Sequence, residues 1–289
     1  MAELLSWIDA AGAETTLNGE SNYLALIGRQ GFYSPPISII SQQVPMQPGV
    51  RDKYVQIGAG DPKLPLLVYA DDEPTLALVR RQLVYAMNPL RGSGTLRNTA
   101  QDGSVRDLVC KLVAGLSGDE SAQNRAPGNF LAPLEFEAAD PFWYDRDYTS
   151  LSFSTGASVL FLASPFLGPH ISSSGIASSF SVFNSGDVEA WPIWTITGPG
   201  NTITLSNTTT GKALVLSITI TAGQVLTIDT RPGHKTVTRE DGSNQFATVS
   251  STSSLWELAT GNNAVTLSIS GTTTASGLQL QYKQRYFGV

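Results

Sequence analysis

The 289-residue sequence holds one cysteine, Cys110, and two histidines, His170 and His234. A single thiol excludes a disulfide framework within the chain. So few sulfur and imidazole groups also exclude the paired Cys/His spacing of a zinc site. Charge is sparse at 15%, and 18 Lys/Arg stand against 24 Asp/Glu. No basic stripe is present to neutralise phosphates, which argues against nucleic-acid binding as the main task. No window approaches the roughly 20 apolar residues that cross a bilayer as a helix, so no membrane insertion is expected. The first residues lack a basic stretch followed by an apolar core, so the chain is expected to be made in a cytoplasm and not exported by the usual route.

The motifs of common chemistries are missing too. There is no Gly-x-Ser-x-Gly elbow, no phosphate-binding Walker loop, and no Gly-x-Gly-x-x-Gly after a strand. His170 sits in a Pro/Gly/Ser loop and His234 follows Arg231-Pro232-Gly233, so both read as exposed turn residues. Cys110 lies in a strand-like run from Val105 to Val113 and reads as a small buried apolar residue. Asn207-Thr208-Thr209 matches a glycosylation sequon and reads as Thr-rich turn sequence.

What is present is a division. Residues 1–149 carry 12 Lys/Arg and 18 Asp/Glu, whereas 150–289 carry 6 of each and fill with Ser, Thr, Gly and Asn. Between these compositions stands Asp140-Pro141-Phe142-Trp143-Tyr144-Asp145. Three rings in a row behind a proline would bury several hundred Å² if packed, so the run is expected to form a rigid domain joint. Two domains are expected, 1–149 and 150–289.

The first half reads as mostly β with one helix. Short β segments occupy residues 1–70, among them Tyr23–Ile27, Ile37–Ile40 after Pro35-Pro36, the alternation around Tyr54–Gly58, and Leu64–Tyr69. The helix is expected at 74–87, with Pro74 in its first turn and Leu76, Val79, Leu83 and Ala86/Met87 as its apolar stripe. Asp71, Asp72 and Glu73 suit the positive end of its dipole better than a metal. Asn88-Pro89 ends it. A hairpin of Thr95–Ala100 and Val105–Val113 flanks Asp102-Gly103, a dipeptide that favours a type I′ turn. Residues 116–129 read as a polar loop, and 130–139 as a strand burying Leu134, Phe136 and Ala138.

The second half reads as an antiparallel β-sandwich. Its expected strands are Phe180–Phe183, Ile193–Thr197, Thr202–Leu205, Ala213–Ile220, Gln224–Ile228, Lys235–Arg239, Ser254–Leu258, Ala264–Ile269 and Leu278–Gln284. Residues 163–179 show no periodicity and read as a loop.

Two arrangements could carry a function. Glu135 and Glu137 lie i, i+2 on one strand, about 7 Å apart at Cα, a spacing that mimics a glycosidase pair. Opposite Leu134 and Phe136 they read as the wet face of an amphipathic strand instead. Trp191, Trp194 and Trp256 could stack on sugars, but Trp191 and Trp194 are an odd number apart and face opposite sides of a regular strand. A carbohydrate-binding module for host-surface attachment is therefore the alternative reading.

An ordered set of short pieces resembles the distal tail protein family of siphophages. The set begins with Asn88-Pro89, Gly92-Ser93-Gly94-Thr95-Leu96, Asp102-Gly103, Arg106 and Phe136 running into Asp140–Asp145. It continues with Asn184-Ser185-Gly186-Asp187, Pro192, Ile196-Thr197-Gly198-Pro199, Ala222-Gly223-Gln224, Ile228-Asp229-Thr230 and Leu255-Trp256. The match runs from about residue 70 to the end of the sequence, without 150–180. The resemblance implies a non-enzymatic virion protein at the phage tail tip, assembled in the host cytoplasm. Its N-terminal domain would be a barrel-like ring domain closing a homo-hexamer under the tail tube, and its C-terminal domain a galectin-like sandwich. The implied partners are the tail tube protein, the tail-tip hub protein, the tape-measure protein and, in some phages, receptor-binding proteins. DNA would meet the ring only in transit, through an acidic lumen that does not hold it. No cofactor, metal or catalytic residue is implied.

Overall fold

The computed structural model describes residues 3–19, 21–117, 125–126, 128–154 and 175–289. It divides into two compact units, residues 1–146 with 286–289, and residues 147–285. The boundary therefore falls after Arg146 rather than after 149, and Tyr286–Val289 leave the second half for the first unit.

The first unit is built from β1 (Leu4–Ile8), β2 (Glu14–Thr16), β3 (Tyr23–Ala25), β4 (Ile37–Gln43), β5 (Val50–Ile57), β6 (Lys63–Tyr69), helix α1 (Glu73–Ala86), β7 (Gly94–Thr99), β8 (Val105–Ala114), β9 (Arg125–Ala126), β10 (Asn129–Glu137) and β11 (Trp143–Asp145). The main sheet runs β2-β1-β7-β8-β10-β6-β3. Its ends are three-residue strands, joined through Leu17 by the Ala25 N–H donating to the Leu17 carbonyl at 2.8 Å. This single bond is no strand ladder, so the sheet is not a closed barrel where a barrel-like form was expected, although its two ends meet.

Alternation writes the core. Leu108, Cys110 and Leu112 of β8 and Leu134, Phe136 and Ala138 along β10 are buried, while the intervening residues are not. Against this face lies α1, through Leu76, Val79 and Leu83. Asp72 caps the helix by accepting the Thr75 N–H at 2.7 Å, so the helix begins at Glu73, one residue before the sequence expectation. Two core side chains bind its backbone: Tyr23 Oη donates to the Val79 carbonyl (3.1 Å), and Trp7 Nε1 to that of Ala86 (2.9 Å). Gly94 makes room for Trp7, since a methyl group there would overlap the indole.

The Asp102-Gly103 turn is not type I′. Only Gly103 has positive φ, at +88°, whereas type I′ needs two such residues. Gly103 N–H donates to the Ala100 carbonyl, and Ala100 N–H to that of Ser104. Asp102 is held in ordinary backbone space by accepting from the Ser104 N–H and hydroxyl.

The second unit contains β12 (Thr149–Ser154), β13 (Gly175–Asn184), β14 (Ile193–Thr197), β15 (Gly200–Asn207), β16 (Lys212–Ile220), β17 (Val225–Asp229), β18 (Thr236–Arg239), β19 (Gly261–Ser270) and β20 (Gly277–Tyr282). They form two antiparallel sheets, β12-β20-β14-β17-β18 and β13-β19-β15-β16. Trp194 and Trp256 meet edge to face in the core, ring centres 5.5 Å apart.

Two expectations fail here. Ser254–Leu258 is not a strand and makes only an isolated bridge, Leu258 to Ala190. Its backbone is held instead by asparagine side chains and by Ser254 N–H donating to the Ala213 carbonyl. Residues 175–179 are strand rather than loop, because all five pair in register with β19. Residues 118–124 and 127 of the 116–129 loop, and 163–174 with His170, lie outside the described residues.

Candidate assembly surface

Ile37–Gln43 and Val50–Ile57 pair only with each other and stand as a separate two-stranded sheet. Every residue of both strands is exposed. Register puts Ile37 opposite Ile57 and Ile39 opposite Val55, so one face is aliphatic over the half of the hairpin nearest its root. The other face carries Ile40 opposite Tyr54. Ile39, Val55 and Tyr54 are 60%, 59% and 56% exposed. The register shifts after Ile40, which leaves Lys53 as an extra residue between Tyr54 and Asp52.

The hairpin is anchored at its root. Gly58 N–H donates to the Pro36 carbonyl at 2.8 Å, and Gly60 and Ala138 exchange two backbone bonds at 2.9 and 2.8 Å. From there, strands of seven and eight residues reach about 25 Å. Met46, at the turn, holds a left-handed φ of +63° and is fully exposed. A two-stranded hairpin with no sheet or helix against it is marginal in water. Its aliphatic face is therefore a surface built to be covered.

The same bias marks the whole first unit. Among the described residues, 18 exposed large hydrophobics lie in the first unit and three, Tyr148, Phe183 and Phe246, in the second. Helix α1 adds Leu78, Val84 and Tyr85 on the side away from its buried stripe, and Leu90 follows it.

The residues singled out for chemistry stay apart or are occupied. Glu135 is half-buried and paired with Lys63 at 3.3 Å, and Glu137 is exposed. Burial pushes the Cys110 thiol up to about 12, so it stays protonated and inert. His234 is exposed in a turn, its N–H donating to the Arg231 carbonyl. Asp72 is held below the usual carboxylate range by its hydrogen bonds from Thr75. Among the described residues no group of three or more His, Cys, Asp or Glu is placed to hold a metal, and no helix is long and apolar enough to cross a membrane. Trp194 and Trp256 are buried, and Trp191 is half-buried with Lys235 Nζ 5.5 Å from its ring centre. The three rings make no stacking platform.

The run Asp140–Asp145 lies within the first unit. Trp143 is fully buried against Phe32, ring centres 5.7 Å apart. Asp140 accepts from the Phe142 N–H and from the Tyr144 hydroxyl. Pro141 packs beside Gly60, and Tyr144 and Asp145 pair with Asp107 and Arg106 of β8.

The second-half pieces that carry the resemblance perform folding tasks. Asn184 accepts the Gly186 N–H and donates to the Val188 and Leu258 carbonyls. Pro192 accepts both the hydroxyl and the N–H of Thr230. Asp229 accepts from the Arg231 N–H and guanidinium. Trp256 Nε1 donates to the Leu205 carbonyl at 3.0 Å. The hairpin drew no functional reading from sequence. Its signal was there in the adjacent apolars Ile39-Ile40 and Tyr54-Val55, which give both faces of a strand apolar residues.

Among solved structures, the chain is similar to the crystal structure of the SPP1 Dit protein, described as a paradigm of the hub adsorption apparatus in phages infecting Gram-positive bacteria. The identity is 14%, the TM-score 0.66, and 99% of each chain is covered. It is also similar to chains of the phage P2 baseplate in its activated conformation. The calcium form gives 11% identity and TM-score 0.56, and the strontium form 10% and 0.57, each covering 100% of both chains. No curated protein matches the sequence. Residues 185–286 match the family of the siphovirus-type tail component, C-terminal domain. Over residues 185–286, most of the second unit, the sequence is thus similar to the siphovirus-type tail component C-terminal domain, and the chain as a whole shares the fold of the SPP1 Dit protein, which bears out its resemblance to siphophage distal tail proteins.

Proposed function

We propose that this protein is a structural component of a phage tail tip, in which the first unit closes a homo-hexameric ring under the tail tube. The β4–β5 hairpin, with an aliphatic patch on one face near its root and exposed throughout, carries this reading, because that patch needs a neighbour to cover it. In a ring each subunit offers the hairpin to the next and receives one in return, a heterologous contact that closes by rotation. The second unit, poor in exposed apolar residues among those described, is the part free to face solvent or adsorption proteins. The tail tube, tail-tip hub, tape-measure and receptor-binding proteins are the partners of such a ring. An acidic first half would let DNA pass without binding it. The protein catalyses nothing in this reading, and purified chain is expected to release no sugar or peptide from host cell-wall preparations.

The test is the mass of the native protein in assembled tails and at high concentration, where a ring that closes only on its partners can form. Six copies are expected. One or two copies in assembled particles would overturn the ring. A chain carrying Ile39→Glu and Val55→Glu should fold as a subunit and fail to enter tails.

A further inference from the structure

The first unit is discontinuous. Residues 286–289 belong to it, although the whole second unit intervenes in the chain. The Tyr286 ring lies against the Arg106 guanidinium, 3.8 Å from its carbon, and the Tyr286 hydroxyl donates to Asp145 at 3.3 Å. Phe287 meets Phe142 edge to face at 5.8 Å. Arg106 also donates to the Gly288 carbonyl, and the Val289 N–H donates to that of Phe32 at 3.1 Å. Val289 packs on the core that contains Phe32 and Trp143. At Gly288 the fit is closed: a Cβ would stand 2.5 Å from the Tyr33 Cα and 2.8 Å from the Phe32 carbonyl oxygen. Neither atom can move without moving the backbone, so only glycine fits.

We propose that residues 286–289 are a clasp that completes the first unit, so that its fold is finished only after the second unit has been synthesised. Before the clasp docks, Arg106 lacks its partners at Tyr286 and Gly288, and the Phe32 carbonyl lacks its donor. Val289 is then also missing from the first unit's core. Phe32, Arg106, Phe142 and Asp145, which these residues touch, all belong to the first unit. The inference concerns the free chain and stands whether or not rings close.

Hydrogen exchange of the full chain, read by segment, tests it. Two variants are compared with the natural chain: one lacking residues 286–289 and one carrying Gly288→Val. Both should speed exchange in β1, β8, β11 and the segment around Phe32 by at least about tenfold. Exchange in β14, β17 and β19 should be unchanged. If the deletion cannot be purified, Gly288→Val and the milder Arg106→Met keep the test open. Unchanged exchange in the first unit would overturn the clasp. Equal acceleration in both units would overturn it as well, by showing one cooperative body.

Discussion

The two units bury similar hydrophobic clusters and differ in what they leave outside. The second encloses its apolar residues between two sheets, with three large hydrophobics exposed among its described residues. The first surrounds its core with one open sheet and a helix, and leaves 18 outside among its described residues. The described residues of the second form their core among themselves. The first is finished by a segment from the far end of the sequence and by surfaces that solvent does not suit. Self-sufficiency in one unit and incompleteness in the other are what a subunit needs if one part assembles and the other stays free.

The contrast breaks most readily at Trp143. Replacing it by Ala should cost the first unit about 3–5 kcal/mol, because a fully buried indole leaves a cavity. The second unit's transition should not move, and a denaturant titration followed with segment-specific probes reads both. A change below about 1 kcal/mol would mean that the Phe32–Trp143 contact holds little.

The matching lesion in the second unit is Asn263→Ala. Asn263 is fully buried, donates to the Ala259 and Gly261 carbonyls at 2.7 and 3.1 Å, and accepts from Asn207 and the Ala259 N–H. Losing it strands several polar groups and should cost about 2–3 kcal/mol, confined to the second unit. Calorimetry of the variant would show one transition shifted and the other in place.

How far sequence reached follows the same division of causes. Local alternation made Ile193–Thr197 legible residue by residue, and Leu108, Cys110 and Leu112 as one face. The helix was displaced by one residue because the cap is a side-chain bond from Asp72, which periodicity does not register. Long-range pairing was invisible. Gly175–Ser179 has too few apolar residues to show a period, yet ten paired positions along β13 and β19 hold it straight. Leu255-Trp256 looked like strand, but Trp256 is a plug on an irregular segment tied by Asn184 and Asn207. The clasp of Tyr286–Val289 carries no local signal, since its partners at Phe32 and Arg106 lie far back in the sequence.

A subtler break lies in the hairpin. Ile39→Ser with Val55→Thr removes apolar surface that nothing in the subunit covers, so stability should change by less than about 0.5 kcal/mol. Assembly into tails, read by sedimentation of particles, should fall while the melting temperature of the free chain holds. A large loss of stability would mean that the hairpin supports its own subunit.

The smallest expected effect is in acid. Glu3 is held below the usual carboxylate range, first by its hydrogen bonds with Arg29, and Asp9 and Asp102 by hydrogen bonds from Ala13 and Ser104. A depressed carboxylate stabilises above its unfolded value and loses that contribution as pH falls through the folded one. The first unit holds Glu3, Asp9, Asp72 and Asp102, and the second Asp241, so the first should weaken more between about pH 4.5 and 3. Melting scans across that window read the difference, and equal weakening would remove this part of the contrast.

The extra residue at Lys53 has a consequence for the time before assembly. Two strands with unpaired backbone along both outer edges are a template for any passing strand, including the same hairpin on another free copy. The register shift after Ile40 twists that template midway, and Arg51, Asp52 and Lys53 place charge beside the kink. The segment proposed to adhere to a neighbour therefore carries its own brake against stacking into fibrils. Its aliphatic half, Ile37, Ile39, Val55 and Ile57, lies toward the anchored root, where reach is shortest and a chance encounter is least able to grow.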